Sequence, residues 1–193
     1  MKTSKLITNI FFAAPFIIAA CTPTTAKLHY ADKVNMDTTY STSTMELESE
    51  RIPDSVFQMT NLRYLAINGM DCDYGSTNCW QINEIPSNIK NLKNLKELGL
   101  TLNAITTIPK ELTELSNLKS IDLTDNAGLQ DINNLTKLKN LEFLYLYGCR
   151  LTKLPDNISD LKNLKELGLV GNSLDKNEQE RIKKALPNCV VKF

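Results

Sequence analysis

The nonapeptide LKNLKELGL occurs twice, unchanged, at residues 92–100 and 161–169. The copies stand 69 residues apart, three periods of 23. Leu95, Leu118, Leu141 and Leu164 mark that period through the intervening chain. Each opens a segment of the form L-x-x-L-x-L-x-x-N/C. Leu95, Leu98, Leu100 and Asn103 form one set, and Leu118, Ile121, Leu123 and Asn126 the next. Leu141, Leu144, Leu146 and Cys149 follow, then Leu164, Leu167, Leu169 and Asn172. A 23-residue unit cannot bury its own leucines, so neighbouring units must bury them for it. The L-x-L core of each unit predicts a short strand whose leucines point inward. Stacking then sets these strands parallel, about 4.8 Å apart. The Asn that ends each strand predicts an inward amide satisfying backbone groups that stacking takes from water.

A period of this size with this wording resembles the leucine-rich repeat. The resemblance implies an α/β solenoid: a horseshoe with a parallel sheet on the concave face and an irregular or short-helical convex side. It also implies a binding scaffold, since the fold serves many partners. Cys149 stands where that family tolerates Cys in place of Asn, so it reads as structural. Ile52-Pro53, Ile85-Pro86, Ile108-Pro109 and Leu154-Pro155 mark the outer side of their units. Proline costs little there, because no ladder hydrogen bond is needed.

The repeat domain spans residues 45–193, about six units including degraded caps. Met45 and Leu47 suggest a short strand ahead of the first cap. The second unit, with Leu62, Leu65 and Ile67, carries ten extra residues at 71–80. The fourth unit shifts internally at Ala127-Gly128 and lacks the proline. After Leu174 the pattern turns helical. Asp175 and Glu178 read as a capping box, and Ile182, Ala185 and Leu186 share one helical face. Pro187 stops that helix, and Val190, Val191 and Phe193 suggest a last strand. Together they read as a C-terminal cap.

Residues 1–20 read as an export signal. Lys2 and Lys5 precede an apolar run too short and interrupted for a spanning helix. Ile18-Ala19-Ala20-Cys21 resembles the lipobox of bacterial lipoproteins. That resemblance implies a lipid on Cys21 and attachment to the cell envelope. Stable anchoring needs more than one acyl chain. Thr22, rather than an aspartate, follows the cysteine; by analogy with enteric lipoproteins this favours the outer over the inner membrane. The competing reading is an ordinary secretory peptide with an incidental cysteine. Residues 21–44, rich in Thr, Ser, Asp and Ala, read as a flexible tether.

The chain balances 22 basic against 22 acidic residues. Removing Lys2 and Lys5 with the leader leaves a slight acidic excess, which argues against a nucleic-acid footprint. The single histidine, His29, lies in the tether, so the domain has no Ser–His or Cys–His pair. Glu97 and Glu166 sit three repeats apart, about 14 Å, too far for a glycosidase pair. No enzyme activity, cofactor or metal is expected. Asp71, Asp73 and Gly75 have the opening spacing of a calcium loop, but Ile82 stands where its bidentate Glu belongs. Cys72 and Cys79, both in the insertion, are expected to pair in an oxidising compartment. Cys149 and Cys189 are expected to be free.

Outward positions can be read from the alternation along each strand. One column holds Tyr64, Glu97, Ser120, Phe143 and Glu166. The next holds Ala66, Gly99, Asp122, Tyr145 and Gly168. The third holds Asn68, Thr101, Thr124, Tyr147 and Val170. Phe143, Tyr145 and Tyr147 therefore share one strand and one face, with Gly168 expected to leave a shallow recess beside Tyr145. Tyr64, Asp122, Phe143, Tyr145 and Tyr147 are the candidate partner-binding residues, with Tyr74 and Trp80 of the insertion as one rim. The partner expected is a protein or peptide, bound by a monomer. Two other readings stay open: the rings merely stack to shield the sheet, or the protein is a surface coat without a dedicated ligand.

Overall fold

The structure is a computed structural model that describes residues 51–69 and 80–193 fully, and the backbone of 44–47. The leader, Cys21, the tether, and Cys72, Tyr74 and Cys79 of the insertion lie outside the described residues.

Among the described residues, seven strands form one parallel sheet in strict sequence order. They are β1 (Thr44–Leu47), β2 (Tyr64–Ile67), β3 (Glu97–Gly99) and β4 (Ser120–Asp122), then β5 (Phe143–Tyr145), β6 (Glu166–Gly168) and β7 (Val190–Lys192). The register follows the repeat: Leu65, Leu98, Ile121, Leu144 and Leu167 lie side by side, and every one is buried. The convex side is built from short 3-10 turns at Asp54–Gln58, Ser87–Asn91, Lys110–Glu114, Asn133–Lys137 and Ile158–Asp160. Each sends apolar side chains inward, among them Val56, Ile89, Leu112, Leu135 and Ile158, to close the core against the strands. Burying each such side chain contributes about 1.5–3 kcal/mol before the entropy of ordering is charged.

Pro53, Pro86 and Pro109 precede the first three convex turns in extended backbone. The fourth unit has no proline. There Asp131 takes over, its carboxylate accepting from the Asn133 backbone N–H at 3.0 Å and its side-chain amide at 2.9 Å. A side-chain acceptor two residues back initiates a turn much as a fixed φ does.

Two asparagine ladders run through the solenoid. The inner one is as expected. Asn126 donates to Leu100 O and Leu123 O, both at 2.8 Å, and accepts from Ile105 N at 3.1 Å. Asn172 repeats this arrangement, and Asn103 keeps it except that its second carbonyl is Thr101 O. Cys149 donates its S–H to Leu123 O at 3.1 Å. The second ladder was not anticipated. Asn94, Asn117, Asn140 and Asn163 donate to Thr60, Lys93, Ser116 and Lys139 carbonyls of the preceding unit at 2.7–2.8 Å. Its signal is the Asn directly before the first Leu of each unit.

The strand exits share a left-handed residue at the same period: Leu102, Asp125, Gly148 and Gly171, with φ of 56°, 57°, 63° and 80°. Glycine pays no steric cost there, whereas leucine pays about 1–2 kcal/mol. Leu102→Gly is therefore expected to raise stability by about 0.5 kcal/mol, the rest being offset by a freer unfolded chain. Gly171→Ala should lower it by about 1–2 kcal/mol. Chemical denaturation of both variants checks the pair.

The C-terminal cap is a helix, α1 (Lys176–Ala185), followed by β7. Asp175 caps it, accepting from Glu178 N at 2.8 Å. The other half of the expected capping box is replaced. The Glu178 carboxylate turns to the preceding unit, accepting from Leu154 N at 2.8 Å, and binds Arg181 at 2.7 Å. Arg181 in turn donates to Leu154 O at 2.9 Å. The Glu178–Arg181 pair thus clamps both peptide groups of one residue. Ile182 and Leu186 are buried against the last repeat, as their spacing predicts.

Two Asn-x-Ser/Thr sequences are used structurally. Asn134 donates to Ile108 O, while Thr136 is fully buried and accepts from Asn157.

Candidate functional site: the concave face of β4 to β6

The register sets Ser120, Phe143 and Glu166 in one row and Asp122, Tyr145 and Gly168 in the next. Tyr147 follows just beyond β5 on the same face. The Tyr145 and Tyr147 rings stack, with centroids 5.8 Å apart and planes 16° from parallel. Phe143 and Tyr147 are half-buried, and Val170 beside them is 49% exposed.

Two expectations are corrected. Tyr145 is not an exposed ring: it is only 5% accessible, because Tyr147 stacks over it and the neighbouring strands flank it. Asp122 is likewise covered, at 7%. Nor is there a recess beside Gly168. A Cβ on that glycine would collide with the Cζ, hydroxyl and Cε1 of Tyr147, so the ring occupies the space the glycine leaves. Gly168 is there to seat Tyr147, which makes that ring, with Phe143 and Val170, the accessible part of the patch.

Tyr64 does not join it. It sits on β2, three strands from Phe143, about 14 Å away. Trp80 lies at the exit of β2, its indole N–H donating to Asn68 O at 3.1 Å. Asn68 in turn accepts from the Thr101 hydroxyl at 2.7 Å. Trp80 therefore borders the β2–β3 end of the face, away from the tyrosines.

Burial first, then the Glu166 carboxylate, pushes the Tyr145 hydroxyl up to about 12. Tyr147 is raised by burial, against the opposing pull of the Lys192 ammonium. Burial also raises the Asp122 carboxyl, although Thr124 N–H donates to it at 2.9 Å. Glu166 pairs with Lys192 of β7 at 2.6 Å. At the entry edge of the strands, Glu142 bridges Lys165 at 2.6 Å and Lys119 at 3.0 Å, and these two cations hold its carboxyl low.

Cys149 and Cys189 are free thiols, each pushed by burial up to about 11. A thiol at that value carries almost no thiolate at neutral pH and is a poor nucleophile. Among the described residues, no three His, Cys, Asp or Glu side chains gather to hold a metal ion.

A family model described as a leucine-rich repeat region matches residues 43–193. No curated protein matches the chain. Among solved structures, a leucine-rich repeat protein of Leptospira interrogans is 35% identical, with a TM-score of 0.65. The match covers 76% of this chain and 35% of that one. The leucine-rich repeat domain of the Xanthomonas type III effector XopL is 23% identical with a TM-score of 0.59, over 78% of this chain and 60% of that one. This chain thus spans less than two thirds of either, and the effector's likeness is one of fold. With the repeat register, both cap elements and a family match over residues 43–193, this chain belongs to the leucine-rich repeat family.

Proposed function

We propose that this chain is a lipid-anchored binding protein of the bacterial cell envelope, holding a protein or peptide partner on the concave face of β4 to β6. The observation that carries the reading is the ring of Tyr147, propped on Tyr145 and seated over Gly168, with Phe143 and the exposed Val170 around it. A large ring that costs little entropy to immobilise, on a rigid sheet, is a strong interface anchor. Leucine-rich repeat domains are in general protein-interaction modules. Capture of a partner from envelope extract by the full chain tests the reading. Tyr147→Ala is expected to weaken that partner by about 2 kcal/mol. Its melting temperature should change little, because the ring is half-exposed. Tyr145→Ala, by contrast, should destabilise the domain itself, since its ring is covered.

The anchor is proposed to be Cys21, on the strength of the Ile18-Ala19-Ala20-Cys21 sequence, with the outer membrane favoured over the inner. Among the described residues no helix is long and apolar enough to cross a membrane. Metabolic labelling with a fatty acid should mark the wild type and spare Cys21→Ser; equal labelling of both would refute the anchor.

A further inference from the structure

The two ends of the strands carry opposite charge. Five connections run from a convex turn into a strand, at residues 59–63, 92–96, 115–119, 138–142 and 161–165. They hold seven Lys or Arg and a single acid, Glu142. The connections that leave the strands run through residues 80–86, 100–109, 123–132, 146–157 and 169–175, and hold five acids and two cations. Strand spacing sets the basic connections along one edge of the sheet, about 19 Å from Arg63 to Lys165. Glu142 engages Lys119 and Lys165, while Glu114 and Asp160 reach Lys93 and Lys139 from the convex turns. Arg63, Lys96 and Lys162 are exposed, and no carboxylate among the described residues forms an ion pair with them. β1 runs parallel to β2, with Thr44 beside Tyr64. The chain that leads from Cys21 therefore enters the sheet at this same edge, where Arg63 leads into β2.

We infer that this basic edge rests on an anionic phospholipid surface, the one that holds the anchor. The strands then stand on end, and the concave face opens sideways to its partner. This rests on the Cys21 anchor proposed above and adds the face that meets the membrane. Twenty-three residue steps separate Cys21 from Thr44, a reach of at most about 80 Å, so the anchor by itself leaves the orientation open. Charge closes it. Each cation near an anionic bilayer strengthens attachment about fivefold, and the field reaches only about 8–10 Å into physiological salt. The tether joins the domain at the edge whose charge the bilayer attracts. The edge it would repel lies at the far end of the strands.

The test uses the full chain, produced in bacteria with its own leader and added to preformed vesicles. One set is phosphatidylcholine, the other an equimolar mix with phosphatidylglycerol. Flotation reports attachment, and amine labelling read by mass spectrometry reports which lysines the bilayer covers. The chain is expected to float with both sets, through its lipid. With phosphatidylglycerol present, labelling of Lys96 and Lys162 should fall about fivefold. Lys110 on the convex side and Lys153 beyond the strand exits should label as before. High salt should abolish the difference. So should the triple variant Arg63→Glu, Lys96→Glu, Lys162→Glu, read at Lys93 and Lys165, with its melting temperature unchanged because all three side chains are exposed. Equal labelling on the two vesicle sets would overturn the docking edge and leave the anchor standing. Protection of Lys110 in place of Lys96 and Lys162 would do the same. Protection by soluble polyglutamate and not by phosphatidylglycerol would overturn it too, assigning the edge to an acidic protein. Flotation with the anionic vesicles alone, with Lys96 and Lys162 covered, would refute the anchor and keep the edge. Flotation with neither set would refute both.

Discussion

Asn126→Ala is expected to cost about 3–5 kcal/mol, a large fraction of what a domain of this size has to lose. The side chain is fully buried and serves three backbone groups: the carbonyls of Leu100 and Leu123 and the N–H of Ile105. Alanine leaves all three without their partner and without water, at about 1–3 kcal/mol each. Those groups belong to adjacent turns, so the damage falls on the seam between units, where solenoid stability resides. Asn126→Cys should cost roughly half as much. Cys149 shows why: its thiol still donates to Leu123 O, the carbonyl that Asn126 also serves. Urea unfolding measures both variants. A loss below about 1 kcal/mol for the alanine variant would mean the ladder is not what joins the turns.

Glu178→Ala is expected to cost about 2–3 kcal/mol. It removes the acceptor of Leu154 N and the partner of Arg181 together. Arg181 is 31% exposed in its side chain and can turn to water, which keeps the loss below that of a fully buried pair. Glu178→Gln keeps an acceptor for Leu154 N and should cost about half as much. The pH dependence has a definite sign. The Arg181 guanidinium, and then the Leu154 N–H, hold the Glu178 carboxyl below its ordinary 4.5, against burial. Its contribution is therefore complete above about 4.5 and is lost as pH falls through the depressed folded value. The wild type should lose stability through that window faster than Glu178→Gln. Parallel curves would show that the clamp does not depend on the charge. Since the terminal unit has only one neighbour, loss of the clamp should first open α1 and β7, visible as faster hydrogen exchange in the cap.

The repeat made most of this fold legible. A strict period with fixed Leu and Asn positions states which residues face the core, and the register of β2 to β6 follows the first two of the three outward columns read from it. Within the cap, Asp175 and Ile182 were equally readable, because capping and helical spacing are local rules. Glu178 was not. Its side chain chose Leu154, 24 residues upstream, over the nearby cap, and no local pattern announces that bond. The site shows the same division. Alternation placed Phe143, Tyr145 and Tyr147 on one face, but could not say how the rings settle among themselves. Tyr147 folds over Gly168 and covers Tyr145, so two residues read as a recess and an anchor became a seat and a prop. Side-chain packing on a sheet face depends on what the adjoining strand presents, here the missing side chain of Gly168 on β6, which no single-strand pattern states. The outer asparagine ladder was visible in principle, as the Asn before each unit's first Leu.

We propose above all that the partner lies on the concave face around Tyr147. Photo-crosslinking in living cells tests it most directly. A benzoylphenylalanine placed at Val170, on the concave face, is compared with one at Lys110, on the convex side. A discrete adduct from Val170, lost when Tyr147→Ala is added, and none from Lys110 is the predicted result. An adduct from Lys110 with none from Val170 would contradict the account.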